Sequence, residues 1–229
     1  MQRQFESELN RIKQQVLTMA GLVETSLDMV ARAIANHDRQ LAQSVVEMDD
    51  AIDACEVEID RLATEFIVRY QPMAIDLRFV IVAIKLGPEL ERVADNAVNI
   101  ARYMLDLEDG EWAGPLLDLP RMLALARAMV TDAIAAYVAR DAERARAVIE
   151  RDDEVDRYYW TIFRDLVDAM SNDPSTISRS ISMIFVARFA ERIADQATNM
   201  GEEVVYLVEG EPIRHAGSDA DEESAQGGA

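Results

Sequence analysis

The chain has 229 residues, half of them apolar, and its 23 basic and 43 acidic side chains give a formal charge of 23 − 43 = −20. Such a charge repels phosphate groups, which argues against nucleic acid and against an anionic membrane surface as default partners. A single cysteine, Cys55, excludes an intrachain disulfide and a cysteine-based zinc site.

The first half of the chain shows the apolar spacing of bundle helices, with apolar residues recurring every three or four positions. Asp38 is a favourable N-cap for the second helix, and Pro72 marks the turn before the third. Gly87-Pro88 breaks the pattern of the third helix, and we expect a kink there because proline removes a helical hydrogen bond. The predicted helices cover about residues 5–36, 39–69 and 75–107.

The second half repeats this plan after a stretch of glycine, proline and charged residues at 108–115, which we interpret as the boundary. Asp141 restarts the chain as Asp38 does, and Pro174 suits the first position of the last helix. Gly210 ends that helix. The predicted helices cover about residues 116–139, 141–170 and 175–208.

Strand signals are nearly absent, and short connections make successive helices antiparallel. We therefore predict an all-α fold of two repeated antiparallel three-helix bundles, with six long helices. The predicted units are residues 1–110 for the first repeat, 111–210 for the second and 211–229 for an acidic tail that we expect to be disordered.

No run of the sequence approaches the roughly 20 apolar residues of a membrane span. Residues 1–15 lack the apolar core of a signal peptide. We expect a soluble, cytoplasmic protein without membrane insertion.

Two acidic motifs occur twice. Residues 91–99 (ERVADNAVN) return as 191–199 (ERIADQATN), an offset of 191 − 91 = 100, and residues 49–53 (DDAID) return as 152–156 (DDEVD), an offset of 152 − 49 = 103. A chain that repeats itself in this way consists of two copies of one unit.

Each copy holds two acidic pairs at spacing i, i+4, which places both carboxylates of a pair on one helix face. The pairs lie beside the apolar face, so those of two antiparallel neighbours could meet along a groove. Like charges so close destabilise a helix unless a cation lies between them. Oxygen donors favour hard cations such as Mg²⁺, Mn²⁺ or Ca²⁺, or carboxylate-bound iron. The candidate metal ligands are Asp49, Asp53, Glu91, Asp95, Asp152, Asp156, Glu191 and Asp195.

The alternative interpretation is a solvated acidic face in which Arg92 and Arg192 are local counter-charges. The recurrence of four pairs on corresponding helices strengthens the case for metal binding, and both interpretations stay open. His37 and His215, the two histidines, stand outside any Glu-x-x-His pattern, which argues against a ferritin-like di-iron oxidase. The sequence also lacks phosphate-binding glycine loops and nucleophile motifs, so we predict a protein that is not an enzyme.

Four stretches accompany these motifs: residues 70–78 (YQPMAIDLR), 89–95 (ELERVAD), 187–195 (ARFAERIAD) and 213–217 (IRHAG). With them the chain resembles the PhoU family, accessory and regulatory proteins of the bacterial phosphate-specific transport system, over about residues 5–217. The combination of repeat, turn and acidic motifs carries the resemblance. Gly87-Pro88, one turn before Glu91, departs from the family pattern.

The resemblance implies a cytoplasmic, often homodimeric regulator that represses the phosphate-starvation response when phosphate is plentiful. Its implied partners are the ATPase subunit of the phosphate ABC transporter and the sensor histidine kinase of the phosphate two-component system. It also implies multinuclear metal sites at the acidic motifs, with Mg, Mn, Zn or Fe as the ion. Two other functions remain open, a helical metal store or metal-dependent enzyme and a purely structural bundle.

Overall fold

The computed structural model describes residues 2–106 and 118–213 of the chain. Its first half contains the three predicted helices: α1 (Gln2–Asn36), α2 (Arg39–Tyr70) and α3 (Ala74–Asp106). The predicted N-cap is confirmed, because the Asp38 carboxylate accepts hydrogen bonds from the backbone N–H groups of Gln40 and Leu41 at 2.9 and 3.1 Å. α3 continues through Gly87 and Pro88 as one helix, and the kink expected there stays a prediction.

The second half contains α4 (Leu119–Ala139), α5 (Ala142–Ile149), α6 (Asp152–Asn172), a short 3₁₀ turn (Pro174–Thr176) and α7 (Ile177–Glu209). The single helix predicted over 141–170 is wrong, since the chain turns at Glu150-Arg151 and divides it into α5 and α6. Arg151 holds this turn, donating to the Ala147 carbonyl at 3.2 Å and pairing with Asp132 of α4 at 2.6 Å. Three acidic residues, 152–154, then start α6, where negative charge favours a helix N-terminus.

Local signals also fix the other helix ends of the second half. The Asp141 carboxylate caps α5, as predicted, by accepting from the Arg144 N–H at 3.0 Å. Pro174, predicted to start the last helix, instead starts the 3₁₀ turn that Asp173 caps, and α7 begins at Ile177. Gly210 ends α7 at φ 80°, a left-handed conformation that glycine adopts without strain.

The two halves meet along α3 and α7, which pack against each other more extensively than any other pair of helices from different halves. Lys85 of α3 pairs with Glu203 of α7 at 2.8 Å, and Arg78 Nε donates to the Leu207 carbonyl at 2.9 Å. Partners earlier in α3 therefore meet partners later in α7, so these two helices are antiparallel. In the first half α1 and α2 also pack against α3, and in the second half α4, α5 and α6 pack against α7.

The apolar side chains of both halves form one continuous buried cluster. Leu86 and Leu90 of α3 are fully buried, as are Met200 and Val204 of α7. Burying each such side chain stabilises the fold by roughly 1.5–3 kcal/mol. The two repeats consequently share a core, although the chain was built from two copies of one unit.

α4 is the one helix within 2–106 and 118–213 that is long and apolar enough to cross a membrane. About half of it lies inside the bundle, where Ala126, Met129 and Val130 are fully buried. The core helix of a folded bundle has the same length and composition, so this feature is weak evidence for a span.

Two predicted features lie outside the described residues: the boundary at 108–115 and the tail from residue 214 onward, including most of the 213–217 motif. The extents 1–110, 111–210 and 211–229 therefore stay predictions.

Candidate functional site

The eight predicted ligands lie on two pairs of adjacent helices, α2 with α3 in the first half and α6 with α7 in the second. The first cluster comprises Asp49, Asp53, Glu91 and Asp95, and the second cluster comprises Asp152, Asp156, Glu191 and Asp195. In both clusters the acidic groups of facing helices act on one another electrostatically. The fold therefore places these carboxylates on facing helices, and their role as metal ligands stays a prediction.

In the first cluster, burial raises the pKa of Asp49 above its ordinary value, and the carboxylates of Asp53 and Asp95 raise it further. Burial likewise raises the pKa of Glu91, with added repulsion from Asp95, Glu56 and Asp53. The cost of ionising these groups comes from partial loss of water and from negative neighbours. A bound cation would oppose these pKa shifts, because its positive charge favours the ionised carboxylates.

Glu56 is a fifth carboxylate of this site that the predicted ligand set omitted. It lies on the same acidic stripe of α2 and faces Glu91 closely enough to raise the pKa of that group. Gly87 makes room for it, because a Cβ at this position would lie 3.2 Å from Cγ of Glu56. The signal in the sequence was the stripe position, one residue after buried Cys55.

The second cluster is deeper. Glu191 is only 9% exposed, whereas Glu91 is half-buried. Burial raises the pKa of Glu191 to about 7, and Asp195, Asp156 and Asp152 contribute in the same direction. Its Oε2 atom is buried and accepts no hydrogen bond from the part of the chain that the structure describes. A buried acceptor without a donor is costly, and a cation could satisfy it.

An arginine already contacts this second cluster. Arg188 Nη1 donates to Glu191 Oε1 at 2.5 Å, and its guanidinium lies 5.8 Å from the centre of the Tyr159 ring on α6. Its positive charge lowers the pKa values of both Glu191 and Asp156. Sequence reasoning missed this residue, although its i, i+3 spacing from Glu191 was a signal.

The two arginines that the acidic-face alternative names as counter-charges make their contacts with residues other than the eight carboxylates. Arg92 pairs with Glu89 at 2.7 Å and contributes least among the causes acting on Glu91. Arg192 lies 5.7 Å from the centre of the Phe189 ring. The cation beside the second cluster is therefore the arginine one turn earlier.

Within residues 2–106 and 118–213, no three acidic, histidine or cysteine side chains converge closely enough to chelate an ion in their present positions. The chemistry of the donors fits a hard cation, since all are carboxylate oxygens and Glu191 Oε2 is buried without a donor. Side-chain rotation would have to complete either site.

A surface cavity of about 410 Å³ lies between α1 and α2, lined by Leu62, Phe66 and Tyr70 and by the charged residues Arg11 and Arg69. None of the eight cluster residues lines it. This cavity is therefore separate from both carboxylate clusters.

The sequence matches the family model of the PhoU domain twice, over residues 16–104 and 119–204. A phosphate-specific transport system accessory protein PhoU homolog of Pseudomonas putida is 39% identical over 216 residues, which cover 94% of this chain and 84% of that protein. The homolog of Aquifex aeolicus (strain VF5) is 38% identical over 208 residues, 91% of this chain and 94% of that protein.

Two solved structures have the same fold. The crystal structure of PhoU from Pseudomonas aeruginosa superposes with a TM-score of 0.86 at 38% identity and covers 90% of this chain and 100% of that one. The phosphate transport system regulatory protein PhoU from Streptococcus pneumoniae gives a TM-score of 0.86 at 26% identity, with 92% and 100% coverage.

Proposed function

Because the chain belongs to the PhoU family, we propose that it is a non-enzymatic accessory protein that regulates phosphate uptake. It couples the phosphate ABC transporter, through the ATPase subunit, to a sensor histidine kinase, and it represses phosphate-starvation signalling when phosphate is ample. The observation that carries the proposal is the double match to the PhoU domain, which includes both halves of the acidic repeat. The names of the relatives, accessory proteins of phosphate-specific transport, support it.

The charge distribution is compatible with an output made by binding. A formal charge of −20 favours basic surfaces on partner proteins, with association that weakens as salt rises. Ile177, Ile181 and Phe185 form an exposed apolar strip at spacing i, i+4 on α7. This strip supports the proposed homodimer, since contiguous exposed apolar surface is typical of contact sites. A cytoplasmic location is proposed from the family. Sedimentation equilibrium of Ile181→Asp beside the unaltered chain checks that contact.

Metal binding by the two clusters is part of the proposal, with Mg, Mn, Zn or Fe as the ion. The eight carboxylates would hold it, and Glu56 would join the first cluster. A bound cation supplies positive charge that neutralises the repulsion among these groups and changes the local field of the surface. Occupancy could thereby decide which surface a partner meets.

The regulatory role is tested in a deletion strain grown in ample phosphate. Phosphate-starvation reporter genes should be switched on in that strain, and the intact chain supplied in trans should silence them. Low reporter expression in the deletion strain would overturn the regulatory role and leave a metal store as the better function.

The metal component has its own test. The melting temperature should rise when Mn²⁺, Mg²⁺ or Fe²⁺ is added to chelator-treated protein, because a ligand bound only by the native state stabilises it by about 2.7 kcal/mol at a hundredfold excess over Kd. Asp95→Asn together with Asp195→Asn should reduce this rise, and Asp168→Asn, an exposed acid of α6 outside the clusters, should not. A melting temperature indifferent to chelator and metal would favour the solvated acidic face.

A further inference from the structure

The two clusters are not equivalent, although they stand on the same repeat. At the repeat offset of 188 − 88 = 100, the first half has Pro88 where the second half has Arg188. Proline carries no charge and no side-chain donor. The first cluster consequently lacks the arginine that the second one contacts.

The arginine near the first cluster is in another place. Arg102 of α3 lowers the pKa of Asp49, whereas burial and the carboxylates of Asp53 and Asp95 raise it. At the same offset, 202 − 102 = 100, the second half has Glu202. The nearby arginine therefore stands at a different repeat position in each half.

Arg188 is held by both helices of the second cluster. It donates to Glu191 Oε1 at 2.5 Å on α7 and lies over the Tyr159 ring on α6. It also lowers the pKa of Asp156, so its charge acts on carboxylates of both helices. A charge-assisted hydrogen bond of this kind is roughly twice as strong as a neutral one.

The arginine satisfies only half of the carboxylate that it binds. Glu191 Oε2 remains buried and accepts no hydrogen bond from the described part of the chain. This second oxygen, on a residue that is only 9% exposed, is where a cation would find a carboxylate atom that no hydrogen bond occupies.

We propose that Arg188 is a built-in counter-cation of the second cluster whose charge opposes the binding of a divalent ion, so that the two clusters of one chain take up metal at different concentrations. The first cluster fills first, because it has Pro88 in the place of this arginine. An ion fills the second only against the charge of the guanidinium that is bonded to Glu191. This inference rests on the metal-binding part of the proposed function.

Greater burial of the second cluster has two opposing effects on metal affinity. Low dielectric strengthens the attraction between carboxylate and ion, but it also raises the cost of removing water from both. The arginine contribution is separable from burial, because a substitution at position 188 removes the competing charge and leaves the eight carboxylates in place.

The test uses full-length chains with one working cluster. Asp53→Asn with Asp95→Asn disables the first cluster, and Asp156→Asn with Asp195→Asn disables the second. Titration calorimetry with Mn²⁺ then gives the affinity of each remaining cluster. We expect the chain that retains the second cluster to bind Mn²⁺ more weakly than the chain that retains the first.

Arg188→Met in the chain that retains the second cluster should strengthen Mn²⁺ binding by about tenfold or more, because removing a unit charge beside a divalent ion has an effect of this size even at the dielectric constant of water. Arg188→Lys keeps the charge and should leave binding weak. Arg192→Met removes the same charge from the neighbouring exposed turn and is the matched control, with little expected change.

The melting temperature gives a second readout, because Arg188→Met should weaken the metal-free fold while it strengthens Mn²⁺ binding. In chelator, Arg188→Met should lower the melting temperature, because it leaves the second cluster without a counter-charge, and Mn²⁺ should then raise it by more than in the unaltered chain. A cooperative melt of Arg188→Lys near that of the unaltered chain verifies folding.

Three results would overturn the inference: equal Mn²⁺ affinities of the two clusters, an affinity of the second cluster that Arg188→Met leaves unchanged or lowers, or Mn²⁺ binding by neither cluster. The last would also remove metal from the proposed function. The reporter experiment in the deletion strain would still decide the regulatory role, so the two failures are distinguishable.

Discussion

Replacing Glu191 by glutamine should stabilise the metal-free protein at alkaline pH and not at acidic pH. Glutamine has nearly the same shape as glutamic acid and stays neutral, so it mimics the protonated side chain. Burial raises the pKa of Glu191 from its ordinary 4.5 to about 7, and the difference, 7 − 4.5, corresponds to about 3 kcal/mol. This is an upper value, since Arg188 loses a charged partner in the variant.

The sign follows from proton linkage. The folded state holds the Glu191 proton more tightly than the unfolded state, so the contribution of this group to stability is fully present below about pH 4.5 and is lost as pH rises through about 7. Glu191→Gln should therefore exceed the unaltered chain by less than about 1 kcal/mol near pH 5. At pH 8 it should exceed it by about 2–3 kcal/mol in free energy of unfolding.

The assay is guanidinium chloride unfolding in chelator at pH 5 and pH 8, with the difference between variant and unaltered chain taken at each pH. Effects of the large net charge cancel in that comparison, because the two chains differ by one group. Glu91→Gln is the internal comparison, and its pH-dependent gain should be smaller because burial raises the pKa of this half-buried carboxyl less. A gain that is the same at both pH values, or a loss at pH 8, would refute the reasoning.

Two matched pairs test the packing and the caps by denaturant unfolding. Gly201→Ala should destabilise by about 1–3 kcal/mol, since its Cβ would lie 3.1 Å from the Ala145 carbonyl oxygen, whereas Gly21→Ala, with no atom within 4 Å, should stabilise α1 by about 0.5–1 kcal/mol. Similar effects at both glycines would contradict the close packing of α5 on α7. Asp38→Ala should cost about 1 kcal/mol, but Asp118→Ala should cost less than about 0.5 kcal/mol, because the Asp118 carboxylate accepts from exposed Arg121 and caps no backbone N–H. Equal losses at the two caps would contradict the assigned hydrogen bonds.

The helices that follow from local signals were predictable from the sequence. Asp38 and Asp141 cap the helices that they precede through bonds to backbone groups two or three residues away, so their effect needs no tertiary contact. The break between α5 and α6 depends on Arg151 reaching Asp132 on a different helix, 151 − 132 = 19 residues earlier. Apolar periodicity reflects only local spacing, so it predicts one helix across that turn.

The same distinction applies to the site. The i, i+4 spacing and the repeat offset predicted that the eight carboxylates lie on facing helices, and neither signal requires interatomic distances. The counter-charge could not be assigned in this way, because Arg188 and Arg192 are one turn apart on the same helix. Contacts with Tyr159 of α6 and Phe189 of α7 separate their roles.

The shared core has a consequence for how metal binding can be observed. The buried side chains of α3 and α7 belong to one cluster, and Asn199 of α7 donates to Glu89 of α3 at 3.4 Å, across the line where the halves meet. A fold with one core is expected to unfold as one unit, so an ion bound at either cluster stabilises both halves. A melting curve of the unaltered chain therefore reports the sum of two affinities. Only chains with one working cluster can separate the site that contacts Arg188 from the site that has Pro88 in its place.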